Sequence, residues 1–309
     1  MTGTTKFGIL LPITRAHVDA GGTARRAVAT AVEAERLGFD SVWVGDTLAR
    51  APIDPLTLLG AIATSTERVT LGTAALLAAL RDPILTASAI TTLDLLSVGR
   101  VTLAVGAGFA GRSEVEFEWA GVPWPARKSR LDDIVALWRL LWSADGQKSF
   151  HGKVLHYDTL PELPPSHRDG GPPIWFAGFT PSGLERTARL YDGWLPYPPE
   201  PGDYASGLAA INAVNPAVTP GLFATLLFDD DPGRARRRLQ DYCLANYGKP
   251  LEFVEKIQVF ITGSADEVAA GLRRYADAGA RHILIRPATV DPEVFAEQVA
   301  LAAGLLVSR

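Results

Sequence analysis

Residues 101–111, VTLAVGAGFAG, set Gly106, Gly108 and Gly111 in a G-x-G-x-x-G spacing directly after a strand-like run. Residues without side chains let a flat ligand or a phosphate approach the main chain, and they equally serve a tight loop that needs positive φ. A dinucleotide fingerprint demands more, namely a helix that opens inside the glycine turn. Here the turn runs into RSEVEFEWAGVPWPARK, Pro123 and Pro125 interrupt it, and the next good helix starts only near Ser129, so that fingerprint is set aside. A second candidate is FAGFTPSG, where Gly178 and Phe179 precede Thr180 and Ser182 at a helix entrance. Unpaired N–H groups and the helix dipole favour an anion there. Thr180 also reads as a plain N-cap before Pro181. A third is GTAALL, where Thr73, Ala74 and Ala75 offer small residues against which a ring can lie, or which simply pack inside a sheet.

Other chemistries lack their residues. Of the five histidines, only His17 falls just past the C-terminal end of an expected strand. His151, His156 and His167 sit in a long irregular stretch, and His282 opens a strand, so a metal-dependent barrel hydrolase is poorly supported and no metal is expected. There is no G-x-S-x-G elbow, no P-loop and no strand-borne Schiff-base lysine. Acid–base groups this sparse point to a bound cofactor as the source of the chemistry.

These candidates hang on an alternation of strand and helix patterns. KFGILLP, SVWVGD, RVTLGTAALL and VTLAVG read as the first four strands, and PIWFAG, GWLPY, GLFATLLF and HILIRPA as four later ones, with IQVFITG a further possible strand. Helices enter at Asp-Pro pairs at residues 54–55, 82–83, 231–232 and 291–292, each a good N-cap followed by a good first residue. Ser264 and Glu267 have the spacing of a capping box. A weak helix is expected over Tyr204–Ile211. About eight strand–helix pairs predict an α/β fold, a closed (β/α)8 TIM-type barrel, with an open doubly wound sheet as the alternative. Such a barrel needs roughly 250 residues, and the chain has 309. The excess is placed in insertions at residues 107–126 and 144–172 of a single domain spanning 1–309.

The net charge of −4 carries no strongly basic block, which argues against a nucleic-acid surface. RARRR at 234–238 reads as a solvated helical face. One cysteine, Cys243, permits no internal disulfide, and no membrane span or signal segment is legible, so a cytoplasmic protein is expected.

Taken together, AERLGFDSVWVGD, DPLTLLGAIATSTERVTLGTA, LRDPILTASAITTLDLLSVGR, LAVGAGF, PIWFAGFTPSGLERTARLYDGW and YADAGARHILIRPA resemble the bacterial luciferase-like superfamily of flavin-dependent oxidoreductases. The similarity covers most of the chain in order and is weakest over 148–171 and 198–220. The resemblance implies reduced FMN, or alternatively the deazaflavin F420, at the C-terminal mouth of the barrel. It implies a non-proline cis peptide within Thr73–Ala74–Ala75, and cofactor contacts from Gly106–Ala107–Gly108 and Gly178–Ser182. A homodimer through early barrel helices, a small-molecule substrate and, for reduced FMN, a separate flavin reductase are further implications. The expected function is a monooxygenase using reduced FMN, with F420-dependent hydride transfer, or flavin binding without turnover, as alternatives.

The family often reads Asp-His after strand two, and this chain reads Asp46-Thr47. Thr47 cannot be a general base near neutral pH and can only orient a proton or a water. Asp46 is the best remaining polar group, whether for chemistry or for holding its loop. Ala107 stands where the true luciferases place an Arg, which weakens any inference of light emission. Glu114 and Glu116 either approach a substrate or sit on a solvated loop. Arg286 either binds an acidic group or forms an internal ion pair. Trp43, Phe109, Trp119, Trp124 and Trp194 suggest an apolar or aromatic pocket.

Overall fold

The structure is a computed structural model that describes residues 4–50, 53–144, 146 and 148–305. Residues 145 and 147 of the expected second insertion therefore lie outside the described residues. Its strands in chain order are β1 (Lys6–Leu10), β2 (Ser41–Val44), β3 (Thr70–Leu76), β4 (Val101–Val105), β5 (Phe150–His151), β6 (His156–Tyr157), β7 (Ile174–Phe176), β8 (Gly193–Trp194), β9 (Thr219–Phe228), β10 (Phe260–Gly263) and β11 (His282–Pro287). Eight of them pair in parallel around a ring, β1-β2-β3-β4-β7-β8-β9-β11 and back to β1. The fold is thus a closed TIM-type barrel, and the open-sheet alternative is excluded.

Closure depends on the length of β9. Its first two residues pair with β8, and Thr225–Phe228 pair with β10 along the same edge, while β11 covers the other edge. The IQVFITG segment is therefore a strand, but one attached outside the ring of eight.

The Asp-Pro entries behave as their chemistry requires. Asp54, Asp82, Asp231 and Asp291 accept backbone N–H groups of the first turns of helices Pro55–Ala63, Pro83–Leu96, Pro232–Tyr247 and Pro292–Gly304. The Ser264–Glu267 capping box opens Ala265–Asp277. The helix after β8 is longer than its weak pattern indicated, running Pro201–Asn212. One expectation needs correction. The 107–126 insertion holds a helix, Glu114–Trp119, which ends before Pro123 and Pro125 can interfere. The 144–172 insertion holds the two-residue antiparallel pair β5–β6. Its return path is anchored by the Asp133 carboxylate, which accepts the backbone N–H groups of Lys153 and Leu155.

The main core lies between the strands and the helical shell, and a smaller cluster of Trp43, Ala104, Trp175, Leu195 and Leu284 fills the barrel itself. Trp43 fits because its neighbours are glycines. A Cβ on Gly72 would lie 2.1 Å from Trp43 Cε3, and one on Gly8 would lie 2.7 Å from its Nε1. Trp43 Nε1 donates to Ser41 Oγ at 2.8 Å, and Ser41 Oγ meets His282 Nε2 at 2.7 Å. Ser41 and His282 open their strands, so this polar group closes the N-terminal end of the barrel.

Candidate active site

At the opposite end, a cavity of about 480 Å³ opens at the C-terminal tips of the strands. One wall is main chain with little on it: Ala74 and Ala75 at the end of β3, and Gly106, Ala107 and Gly108 after β4. The peptide bond between Ala74 and Ala75 is cis. Gly106 is a glycine for a steric reason, since a Cβ there would stand 3.3 Å from the Ala75 methyl group. Gly108 has φ +80°, and a Cβ on it would press into Phe117 at 2.9 Å. A tricyclic flavin or deazaflavin ring fits a cradle of this kind, because a side chain at 106 would crowd the lining residues Ala75 and Leu77 and the loop at 108 tolerates none.

Beside that wall stands a buried carboxylate. Glu116, on the short helix Glu114–Trp119, is 2% exposed and lines the cavity. Its Oε1 accepts the Thr47 hydroxyl at 2.6 Å and the Ala49 N–H at 3.1 Å. Among the described residues, no donor reaches Oε2. A carboxyl oxygen facing a cavity beside a hydroxyl that can turn its own proton is a unit able to give or take a proton. The sequence offered Glu116 only as one of two loop acids. Its pairing with Thr47 follows from a helix too short for a periodicity reading.

Asp46 has a different part. Its carboxylate accepts the Leu77 N–H at 3.0 Å and the Arg81 guanidinium at 3.1 Å, and Arg81 also pairs with Asp54 at 2.8 Å. Burial raises the Asp46 pKa above the ordinary carboxylate value, against the opposing pull of Arg81. Asp46 thus holds the tip of β3 against its neighbouring loop, the second of the two roles its sequence position offered.

The other expected residues divide. Phe109 and Arg286 line the cavity. Trp43 does not, being fully buried in the barrel plug. Trp194 also lies outside the lining, because its ring stacks between Phe179 and Tyr204 and its Nε1 donates to Gly178 O at 2.8 Å. Trp119 is exposed, and Trp124 meets Phe117 edge to face and lies under the Arg127 guanidinium. Thr73 is buried with its hydroxyl donated to Ala104 O at 2.9 Å. Gly178–Ser182 directly follows the lining residue Ala177 but stays outside the lining. Thr180 caps the helix Pro181–Leu190 by accepting Gly183 N–H at 3.2 Å. His17 is buried with Nδ1 against Thr14 Oγ1 and Nε2 against Thr289 O, and burial lowers its pKa to about 4.

A closed parallel barrel with a bare-backbone cradle and a buried acid at its C-terminal mouth defines a cofactor-assisted barrel enzyme. The particular family follows from comparison with known proteins. The model for "Luciferase-like monooxygenase" matches residues 5–254, and the chain belongs to that family. It is an oxidoreductase of the luciferase-like flavin/F420-dependent superfamily. A relative in Intrasporangium calvum, an F420-dependent glucose-6-phosphate dehydrogenase, is 30% identical over 89% of this chain and 92% of its own length. A phthiodiolone/phenolphthiodiolone dimycocerosates ketoreductase of Mycobacterium tuberculosis is 26% identical, with 94% of each chain covered. Among solved structures, a monooxygenase from Streptomyces bottropensis shares the fold at a TM-score of 0.82 and 22% identity, with 98% of this chain and 99% of that one covered. An F420-dependent secondary alcohol dehydrogenase, solved with an F420–acetone adduct, gives 0.78 at 22% identity, with 98% of each chain covered. Among the described residues, no helix is long and apolar enough to cross a membrane.

Proposed function

We propose that the protein is an F420-dependent oxidoreductase that interconverts a carbonyl and an alcohol on a small organic substrate. The observation that carries this reading is Glu116, a buried carboxyl in hydrogen-bond contact with Thr47 in the wall of the same cavity as the bare cradle. Carbonyl reduction needs a proton at the oxygen as well as a hydride at the carbon, and the reverse reaction needs that proton removed. When bound, F420 supplies the hydride chemistry. The backbone of Ala74, Ala75 and Gly106–Gly108 would orient the ring, and Gly178–Ser182, at the N-terminus of Pro181–Leu190, would meet a phosphate beyond the ring. Glu116 would give or take the proton at the substrate oxygen, with the Thr47 hydroxyl setting the orientation of the acid. The two relatives at 26% and 30% identity, one named a ketoreductase and the other an F420-dependent dehydrogenase, support this order of preference over reduced FMN.

A second reading keeps reduced FMN, supplied by a separate flavin reductase, and monooxygenation. Membership of the luciferase-like monooxygenase family favours it. Anaerobic titration followed by intrinsic fluorescence separates the two. Micromolar binding of F420, weakened at least tenfold by Gly106→Val, is the expected result. Binding of reduced FMN with none of F420 reverses the order. A bound cofactor with no turnover on a panel of alcohols and ketones would favour a flavin-binding protein.

A further inference from the structure

The cavity lining also carries four cations. Arg50, Arg112, Lys249 and Arg286 all line the cavity. None of them reaches a carboxylate within ion-pair distance among the described residues. Two carboxylates share the lining, and one of these, Asp46, is already paired with Arg81.

Arg286 is the most constrained of the four. It projects from β11 with Nη2 and Nε both donating to Thr225 Oγ1, at 2.7 and 3.2 Å. Its guanidinium packs on the rings of Phe223, Tyr247 and Tyr242, with centroids at 4.8, 5.2 and 5.7 Å. Burial pushes the Tyr242 phenol well above its ordinary pKa, so that ring offers the guanidinium no negative charge. Arg112 also lies over the Tyr247 ring, 5.2 Å from its centroid. Burial lowers its pKa first, and the like charges of Arg50 and Arg286 push in the same direction. A guanidinium that meets only the Thr225 and Tyr247 hydroxyls and neighbouring rings retains N–H donors in a planar fork, the geometry that suits a carboxylate or phosphate. Taking such a charge out of water is unfavourable until an anion meets it.

The geometry points to an oxyanion subsite, centred on Arg286 with Arg112 and Arg50 around it, that selects substrates carrying a carboxylate or phosphate. This rests on the proposed carbonyl–alcohol reading and deepens it. The anion would anchor the substrate on the cationic wall and leave its reacting oxygen toward Glu116, which lies near enough to Arg112 to influence it. The same chemistry has a second source, the phosphate of the cofactor. Gly178–Ser182 offers that phosphate a place outside the cavity, which leaves the cationic wall for substrate.

Inorganic phosphate is the probe. It is titrated by calorimetry into the cofactor-free protein, into protein saturated with F420 or with whichever flavin binds, and into Arg286→Met and Arg286→Lys variants whose melting curves confirm folding. The expected result is phosphate binding that persists in the cofactor-loaded protein, weakens at least tenfold in Arg286→Met and takes an intermediate value in Arg286→Lys. Mutual exclusion of phosphate and cofactor, with cofactor affinity lost in Arg286→Met, would assign the wall to the cofactor and overturn the inference. Absence of phosphate binding, or binding indifferent to residue 286, would also overturn it. The cofactor-free arm needs neither F420 nor turnover, so failure of F420 to bind while phosphate binding follows Arg286 would sink the cofactor reading alone.

Discussion

Two clusters of polar and aromatic side chains occupy the ends of one barrel, and they differ in how completely they are satisfied. At the N-terminal end, Trp43, Trp175, Ser41 and His282 close on each other through ring contacts and two hydrogen bonds. At the C-terminal end, Glu116 has one oxygen held by Thr47 and Ala49, and Arg286 meets hydroxyls and rings but no carboxylate among the described residues, both beside open volume. Histidine, serine and tryptophan are residue types often associated with function, yet here they form the plug. The difference teaches that incomplete satisfaction next to a cavity, rather than residue type, marks the reactive end. Buried polar groups are normally paired, so a group held ready on one side only is held for something that arrives.

Substitutions can break that contrast. The largest expected effect is on turnover: Glu116→Gln should lower kcat by about 10²–10⁴-fold, the range for loss of a general acid or base. F420 affinity should stay within about threefold, because the cradle is untouched. Turnover within threefold of the parent would remove Glu116 from the chemistry. At the plug the effect should appear in stability instead. Trp43→Ala should cost about 3–5 kcal/mol, as for a large aromatic deleted from a core, read from urea midpoints, with cofactor affinity little changed. A stable variant that no longer binds cofactor would show that the two ends are coupled.

The last effect is graded and appears only in acid. His282, in the plug, and His17 both have pKa values lowered by burial from 6.5 to about 4. Their folded forms are neutral where the unfolded chain binds a proton. Stability from each is therefore fully present above pH 6.5 and is lost as pH falls toward 4, by up to about 3 kcal/mol per histidine. Denaturant unfolding across that window should show the loss, and His282→Gln should remove roughly half of it. A flat profile would mean that the plug admits a charged histidine and is less closed than its contacts indicate.

Much of the scaffold is legible in the chain because its signals are local. An Asp-Pro pair supplies a carboxylate acceptor and a fixed φ within three residues, and all four such helix entries lie where that chemistry puts them. Alternating apolar segments suffice for the barrel, and the small residues at 74–75 and 106–108 read as bare backbone. Other features depend on elements that meet only in the fold. Trp43 is a strand residue whose depth along the barrel axis no sequence window reports, and it lies in the plug rather than the pocket. Thr47 and Glu116 are 69 residues apart and become partners through a six-residue helix. For Arg286, the chain left open an ion pair or an open binding group. Among the described residues no carboxylate comes within ion-pair distance of Arg286, and the binding role is the one proposed above. Local hydrogen bonding and apolar periodicity are properties of adjacent residues. Whether a buried charge finds a partner is a property of distances across the whole barrel, which only its closure sets.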